Sequence, residues 1–136
     1  MDIKAHLKVL LKLAMVDENF DDQERQMIGM IAKANGVEKE TMDDMINTAL
    51  RDKSNEQVPL PVLSDDEKFE YLYNIVQLMK IDSKVYLSEI NFCENMATRL
   101  GFNKKVIGRL SRQIFSDPSI TSDKERLKMA VMKFKN

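Results

Sequence analysis

One cysteine, four glycines and three prolines are spread over 136 residues, and each scarcity removes a class of protein. The single thiol, Cys93, excludes an intrachain disulfide framework and fits a reducing compartment; it falls in the apolar pattern of its segment and reads as core. With so little glycine there is no Gly-rich phosphate loop. Apolar residues nowhere alternate over a useful length, so strands are not expected. There is no long apolar run, which leaves no membrane span. Lys8 and Lys12 interrupt the N-terminal apolar stretch where a signal peptide needs continuity, and a cytoplasmic protein is the expectation. Neither sign of charge prevails: 21 basic residues stand against 22 acidic ones. General nucleic-acid affinity is therefore not expected, and any electrostatic function must be local. Zinc lacks a ligand set, since His6 is the sole histidine and no second ligand stands at recognisable spacing from it or from Cys93. No nucleophile motif or Cys/His pair supports catalysis, and His6, on a lysine-rich segment, is expected to be solvated.

What the chain does have is helical periodicity. Ile3, Leu7, Leu10, Leu11 and Ala14 line one face, with Lys4, Lys8 and Lys12 opposite, predicting an amphipathic helix over about 2–16. After a break at Asp17–Phe20, Asp21 with Glu24 has the form of a capping box. Met27, Ile28, Ile31 and Ala34 carry a second helix to a stop at Asn35-Gly36. A third begins near Glu38, with Met42, Met45, Ile46 and Ala49 on its apolar side. Arg51–Leu63, with Pro59 and Pro61, is a linker. Ser64 and Glu67 form another capping box, opening a helix striped by Phe69, Leu72, Tyr73, Val76 and Met79. Helices follow at about 87–99 and 103–114, ended by Asp117-Pro118. Ser122 with Glu125 is expected to cap a last helix, about 122–134, striped by Leu127, Ala130, Val131 and Phe134. The expected class is all-α, about seven helices, with the ten methionines filling gaps in the core.

The chain also repeats itself. Asp17, Phe20, Glu24, Met27, Ile31, Ala32 and Gly36 recur 65 positions later, without a gap, as Asp82, Val85, Glu89, Phe92, Met96, Ala97 and Gly101. A repeat of this kind predicts two structural halves, about 1–50 and 64–115, sharing one core in a single domain spanning 1–136. Two carboxylates sit in each copy, where packing alone would not ask for them.

The pattern apolar-Ala-x-x-Asp-x-x-apolar-x-x-x-Glu, from Leu13-Ala14 through Glu24, resembles that of the tellurite-resistance TerB-like family. The chain has Glu18 and Ser83 where that family often has Gly after the first Asp, and Met79 in the second half where Ala14 stands in the first. The resemblance implies a compact all-α domain of two similar halves in a bacterial intracellular protein. It further implies a connection with stress response or membrane-associated complexes and metal binding by acidic residues, and it implies no enzymatic activity.

Two readings of the acidic residues stand side by side. In one, Asp17 makes an Asx-turn and Glu24 caps a helix whose dipole favours it. In the other, Asp17, Asp21 and Glu24 form an oxygen-rich corner for calcium or magnesium, with Asp82 and Glu89 a poorer second corner because Lys84, Tyr86 and Leu87 replace Asn19, Asp21 and Asp22. An EF-hand is excluded: Asp22 occupies the loop position that needs Gly, and Ile28 the one that needs Glu. The expected function is a non-enzymatic binding or scaffold domain with a protein partner; the alternatives are a metal-free interaction module and, third, a metal-assisted hydrolase. Charge reverses between the third helices of the two halves, with Glu40 and Asp44 matched by Lys105 and Arg109. This suits docking or head-to-tail stacking as well as simple solvation. The lysine face of the first helix also has the form of a surface binder for anionic membranes.

Overall fold

Asp2 starts the first helix by accepting a hydrogen bond from the Ala5 amide at 3.2 Å, and α1 then runs Ile3–Ala14. The structure, a computed structural model, describes residues 2–16, 22–52, 58–81, 87–114 and 123–136. Among the described residues the chain forms seven α-helices and no strand beyond an isolated antiparallel bridge between Phe102 and Lys135. The others are α2 (Asp22–Ala34), α3 (Lys39–Arg51), α4 (Asp65–Lys80), α5 (Leu87–Arg99), α6 (Val106–Gln113) and α7 (Lys124–Met132).

The two central helices are α1 and α4, packed against each other. Leu7, Leu10, Leu11 and Leu13 of α1 and Leu72, Ile75, Val76 and Leu78 of α4 all lie in the buried core. Each such side chain contributes about 1.5–3 kcal/mol by leaving water. Helices α2 and α3 pack on α1 and on each other; α5 and α6 pack on α4 and on each other; α7 packs on α4 and α6. Between α3 and α4, Val58, Leu60 and Leu63 are half-buried against the same core. Arg99 on α5 donates to the Val58 carbonyl at 2.6 Å.

Local chemistry explains the helix ends. Ser64 and Glu67 form the expected capping box, each side chain bonding the other's amide, at 3.2 and 3.1 Å. The ends of α2 and α5 are built alike. Gly36 and Gly101 sit at φ 77° and 91°, the left-handed region that glycine enters without steric penalty. The following residue closes each turn: the Val37 amide bonds the Ala32 carbonyl and the Phe102 amide the Ala97 carbonyl, both at 2.9 Å, as in a Schellman ending. At the end of α4, the Lys80 ammonium reaches the carbonyls of Ser111 and Ile114 at the C-terminus of α6, where the helix dipole favours a cation.

Four expectations are corrected. The last helix is capped by Asp123, whose carboxylate accepts from the Arg126 amide at 3.2 Å, and it ends at Met132 rather than 134. Asp is as good a cap as Ser, and it stands one residue nearer the helix. In α6 the helix proper begins at Val106, because Asn103 turns its side-chain oxygen onto the Lys105 amide at 2.9 Å and consumes two residues in an Asx-turn. In α2 the core residue is Ala32, whereas Ala34 is exposed. The fourth concerns His6 and is taken up with the site.

Glycine separates two kinds of position. A Cβ at Gly29, inside α2, meets nothing within 4 Å, and neither does one at Gly36, but only Gly36 has positive φ. Gly29→Ala should stabilise the chain by about 0.5–1 kcal/mol through helix propensity. Gly36→Ala should destabilise it by about 1 kcal/mol through left-handed strain. Thermal melts of the two variants should move in opposite directions by about 3 °C each.

Candidate functional site

The acidic phrase is placed in part. Glu24 is the third residue of α2 and Glu89 the third of α5, and both are buried, with 5% and 6% of their surfaces exposed. Third positions are where a carboxylate reaches back toward the amides that open a helix, with the dipole in its favour. A carboxylate that deep requires partners to offset lost hydration, and both glutamates have an interaction within the chain. Glu89 lies one turn before Cys93; burial first, and then the charges of Glu89 and Glu94, push the Cys93 thiol well above its ordinary range. The thiol is in the core, as the sequence suggests, with Sγ 3.9 Å from the Ile75 carbonyl. Asp17, Asp21 and Asp82, the other candidate ligands, lie outside the described residues. Among the described residues no three His, Cys, Asp or Glu side chains are grouped so that they could hold a metal ion.

A second polar feature sits in the core, and sequence reasoning placed it in solvent. His6 is fully buried, stacked on Tyr71 of α4 with ring centroids 4.2 Å apart. The Asn74 amide nitrogen lies 2.8 Å from His6 Nε2. With that amide donating, Nε2 is the acceptor and the imidazole proton rests on Nδ1. Among the described residues neither Nδ1 nor the Tyr71 hydroxyl has a hydrogen-bond partner. Burial lowers the His6 pKa to about 4 and raises that of Tyr71 to about 12, with Asp2 and Glu67 adding to the latter. The expectation failed because it treated the lysine side of α1 as wide. In the structure α2, α3, α4 and α5 all pack on α1, leaving Lys4 and Lys8 exposed and Lys12 half-buried. One signal was available: the 65-residue step that relates the acids also relates His6 to Tyr71, an inward ring on α4.

The same packing answers the membrane reading of α1. Leu7, Leu10 and Leu11 are in the core, so the apolar stripe a surface anchor would insert is already used. No helix among the described residues is long and apolar enough to cross a membrane. The outer charges are arranged in two ways. On α7 and the C-terminal segment they are paired: Lys124 with Glu70 at 3.7 Å, Lys128 with Asp66, and Lys135 with Asp65 at 2.9 Å. On α3 and α6 they point outward.

Protonation of His6 should govern acid sensitivity. The folded pKa is depressed from 6.5 to about 4, so below pH 6.5 the unfolded chain takes up a proton that the folded chain refuses. The stability contributed by neutral His6 is complete above pH 6.5, falls from there to about pH 4 and does not change further below it. The full swing is on the order of 3 kcal/mol. Urea denaturation between pH 7.5 and 4 should show that slope, and His6→Phe, which keeps a ring on Tyr71 without a titrating nitrogen, should flatten it.

Comparison with family models, with curated proteins and with solved structures finds no match. What the chain does is therefore argued from its own geometry.

Proposed function

We propose that this chain is a non-enzymatic binding domain of the TerB-like kind, made of two quasi-equivalent helical halves, and that the acidic corner leading into α2 takes a divalent cation. The observation that carries the reading is the matched placement of Glu24 and Glu89. Both are buried third residues of thirteen-residue helices whose bounds are 65 positions apart, and both helices end in the same glycine turn. In the first half the acid-rich segment Asp17 to Asp22 precedes Glu24, and its oxygens suit a hard cation such as calcium or magnesium. The second half, with Lys84 and Tyr86 in that segment, is the weaker site. A cation there would fix the corner between α1 and α2 and tie its occupancy to a partner surface, with no substrate turned over.

A metal-free interaction module is the second reading, favoured by one observation: the third position of a helix is where a glutamate caps without any ion. Calorimetric titration of chelator-treated protein with calcium, magnesium and manganese separates the two. The cation reading expects saturable binding that Asp17→Asn/Glu24→Gln abolishes and Glu89→Gln leaves largely in place. Flat titrations for all three ions, with the variants changing only the melting temperature, would assign the carboxylates to caps and turns.

A further inference from the structure

The acids of α3 and the bases of α6 are left over from the chain's own ion pairs. Glu40, Asp43 and Asp44 are exposed on α3, and Lys105, Arg109 and Arg112 are exposed at α6. The spacings, three or four residues, put each set on one helix face. None of the six joins an ion pair among the described residues, whereas the lysines of the C-terminal segment find the acids of α4. The side chain of Arg109 reaches only Gln113 of its own helix, at 3.2 Å.

The α6 face breaks a local rule. Lys104 and Lys105 stand at the positive end of the helix dipole, where cations are disfavoured. Lys105 makes no side-chain cap, and the first turn of α6 holds no acid. The Lys105 amide is answered by the Asn103 side chain at 2.9 Å, but no acid in the first turn offsets the two lysines. Gly108 lies beside this face, and a Cβ there would meet nothing within 4 Å, so another helix can approach closely. Because α3 packs on α1 and α2 while α6 packs on α4, α5 and α7, a single copy offers both faces.

We propose that the acidic face of α3 docks on the basic face of α6 in a second copy of this chain. Three acids meet three bases, and carboxylates arrive beside the lysines that open α6, where the first turn holds no acid. The joined surfaces are unlike, so the contact is heterologous. It is carried by exposed charge over a small area, so it is weak and salt-sensitive. The inference is independent of the cation reading.

Sedimentation equilibrium on the unmodified chain tests it first. At protein concentrations of about 0.1–1 mM, the range in which small polar contacts form, the average mass should rise with concentration in about 20 mM salt. It should return to the monomer value in about 0.5 M salt, where the screening length falls to a few ångströms. Glu40→Lys/Asp44→Lys and Lys105→Glu/Arg109→Glu should each abolish the rise, with circular dichroism confirming that the helices remain. Combining all four exchanges restores opposite faces at the unchanged formal net charge of −1, and association should return. A monomer at every concentration in low salt, or a four-fold variant that stays monomeric while folded, would overturn the proposal and leave the two faces to some other partner.

Discussion

Everything in this molecule hangs on the contact between α1 and α4. All other helices reach the core by packing on one of these two, and both are enclosed so fully that they keep only narrow exposed strips. Enclosure on several sides fixes what side chains each helix can carry, because a central helix has no polar face to spare. Among the polar groups these two helices admit, Gln77 included, His6, Tyr71 and Asn74 are forced to settle with one another. They settle incompletely: Nε2 of His6 is satisfied by Asn74, while Nδ1 and the Tyr71 hydroxyl are unpartnered among the described residues. Groups of that kind oppose folding by about 1–3 kcal/mol each. The surrounding leucines and isoleucines supply enough burial to carry that cost, and the result is a core whose stability is tied to proton concentration.

The outer helices are held by a different principle, in which charges answer specific backbone or carboxylate groups. Lys80 secures the C-terminus of α6 from the end of α4. Arg99 holds the segment before α4 through the Val58 carbonyl. The last helix buries only Leu127 and Val131, too little apolar surface to hold it strongly. Its remaining attachment is the series of lysines facing α4, together with the backbone bonds from Asn103 to Phe134 and from Asn136 to Gly101, at 2.8 and 2.9 Å. Lys124 adds a contact over the Tyr73 ring, 4.5 Å from its centre, of the cation–π kind. Exposed ion pairs are individually weak, so the backbone bonds and the two buried residues do most of the holding.

Where the chain encodes structure locally, the sequence was readable. Ser64 with Glu67, Gly36 and Gly101 carry their signal within a few residues, and the structure uses each as the pattern suggests. Core residues with unambiguous spacing, such as Leu7, Leu72 and Cys93, were equally plain. Failures arose where two local solutions compete or where distant packing decides. Ser122 and Asp123 are both good caps, and nothing within the chain's periodicity ranks them. Ala32 and Ala34 differ only in which neighbours lie above them. His6 looked solvated because lysines flank it in the periodic pattern, and only the number of helices around α1 reverses that reading. Of the candidate acids, Glu24 and Glu89 were legible as first-turn residues, but their depth was not, since burial depends on how α2 meets α1 and α5 meets α4.

The contrast between inner and outer positions bears on what the acids are for. On the proposed equivalence of the halves, some buried positions keep their chemistry, as Leu7 with Leu72, Ala32 with Ala97 and Glu24 with Glu89, and others change it, as His6 to Tyr71. Exposed positions are also mixed: Lys39 recurs as Lys104, while Glu40 and Asp44 reverse sign to Lys105 and Arg109. A glutamate at an exposed helix start is favoured by the dipole, and aspartate is favoured there in the same way. Glu24 and Glu89 are both buried. A carboxylate retained inside both halves, where lost hydration penalises it, has to be answering groups that a smaller or neutral side chain does not reach. Both glutamates have an interaction within the chain, and in the sequence only Glu24 follows an acid-rich run, Asp17 to Asp22. That asymmetry in the sequence is why the proposed cation is assigned first to the α1–α2 corner, with the second corner the weaker site.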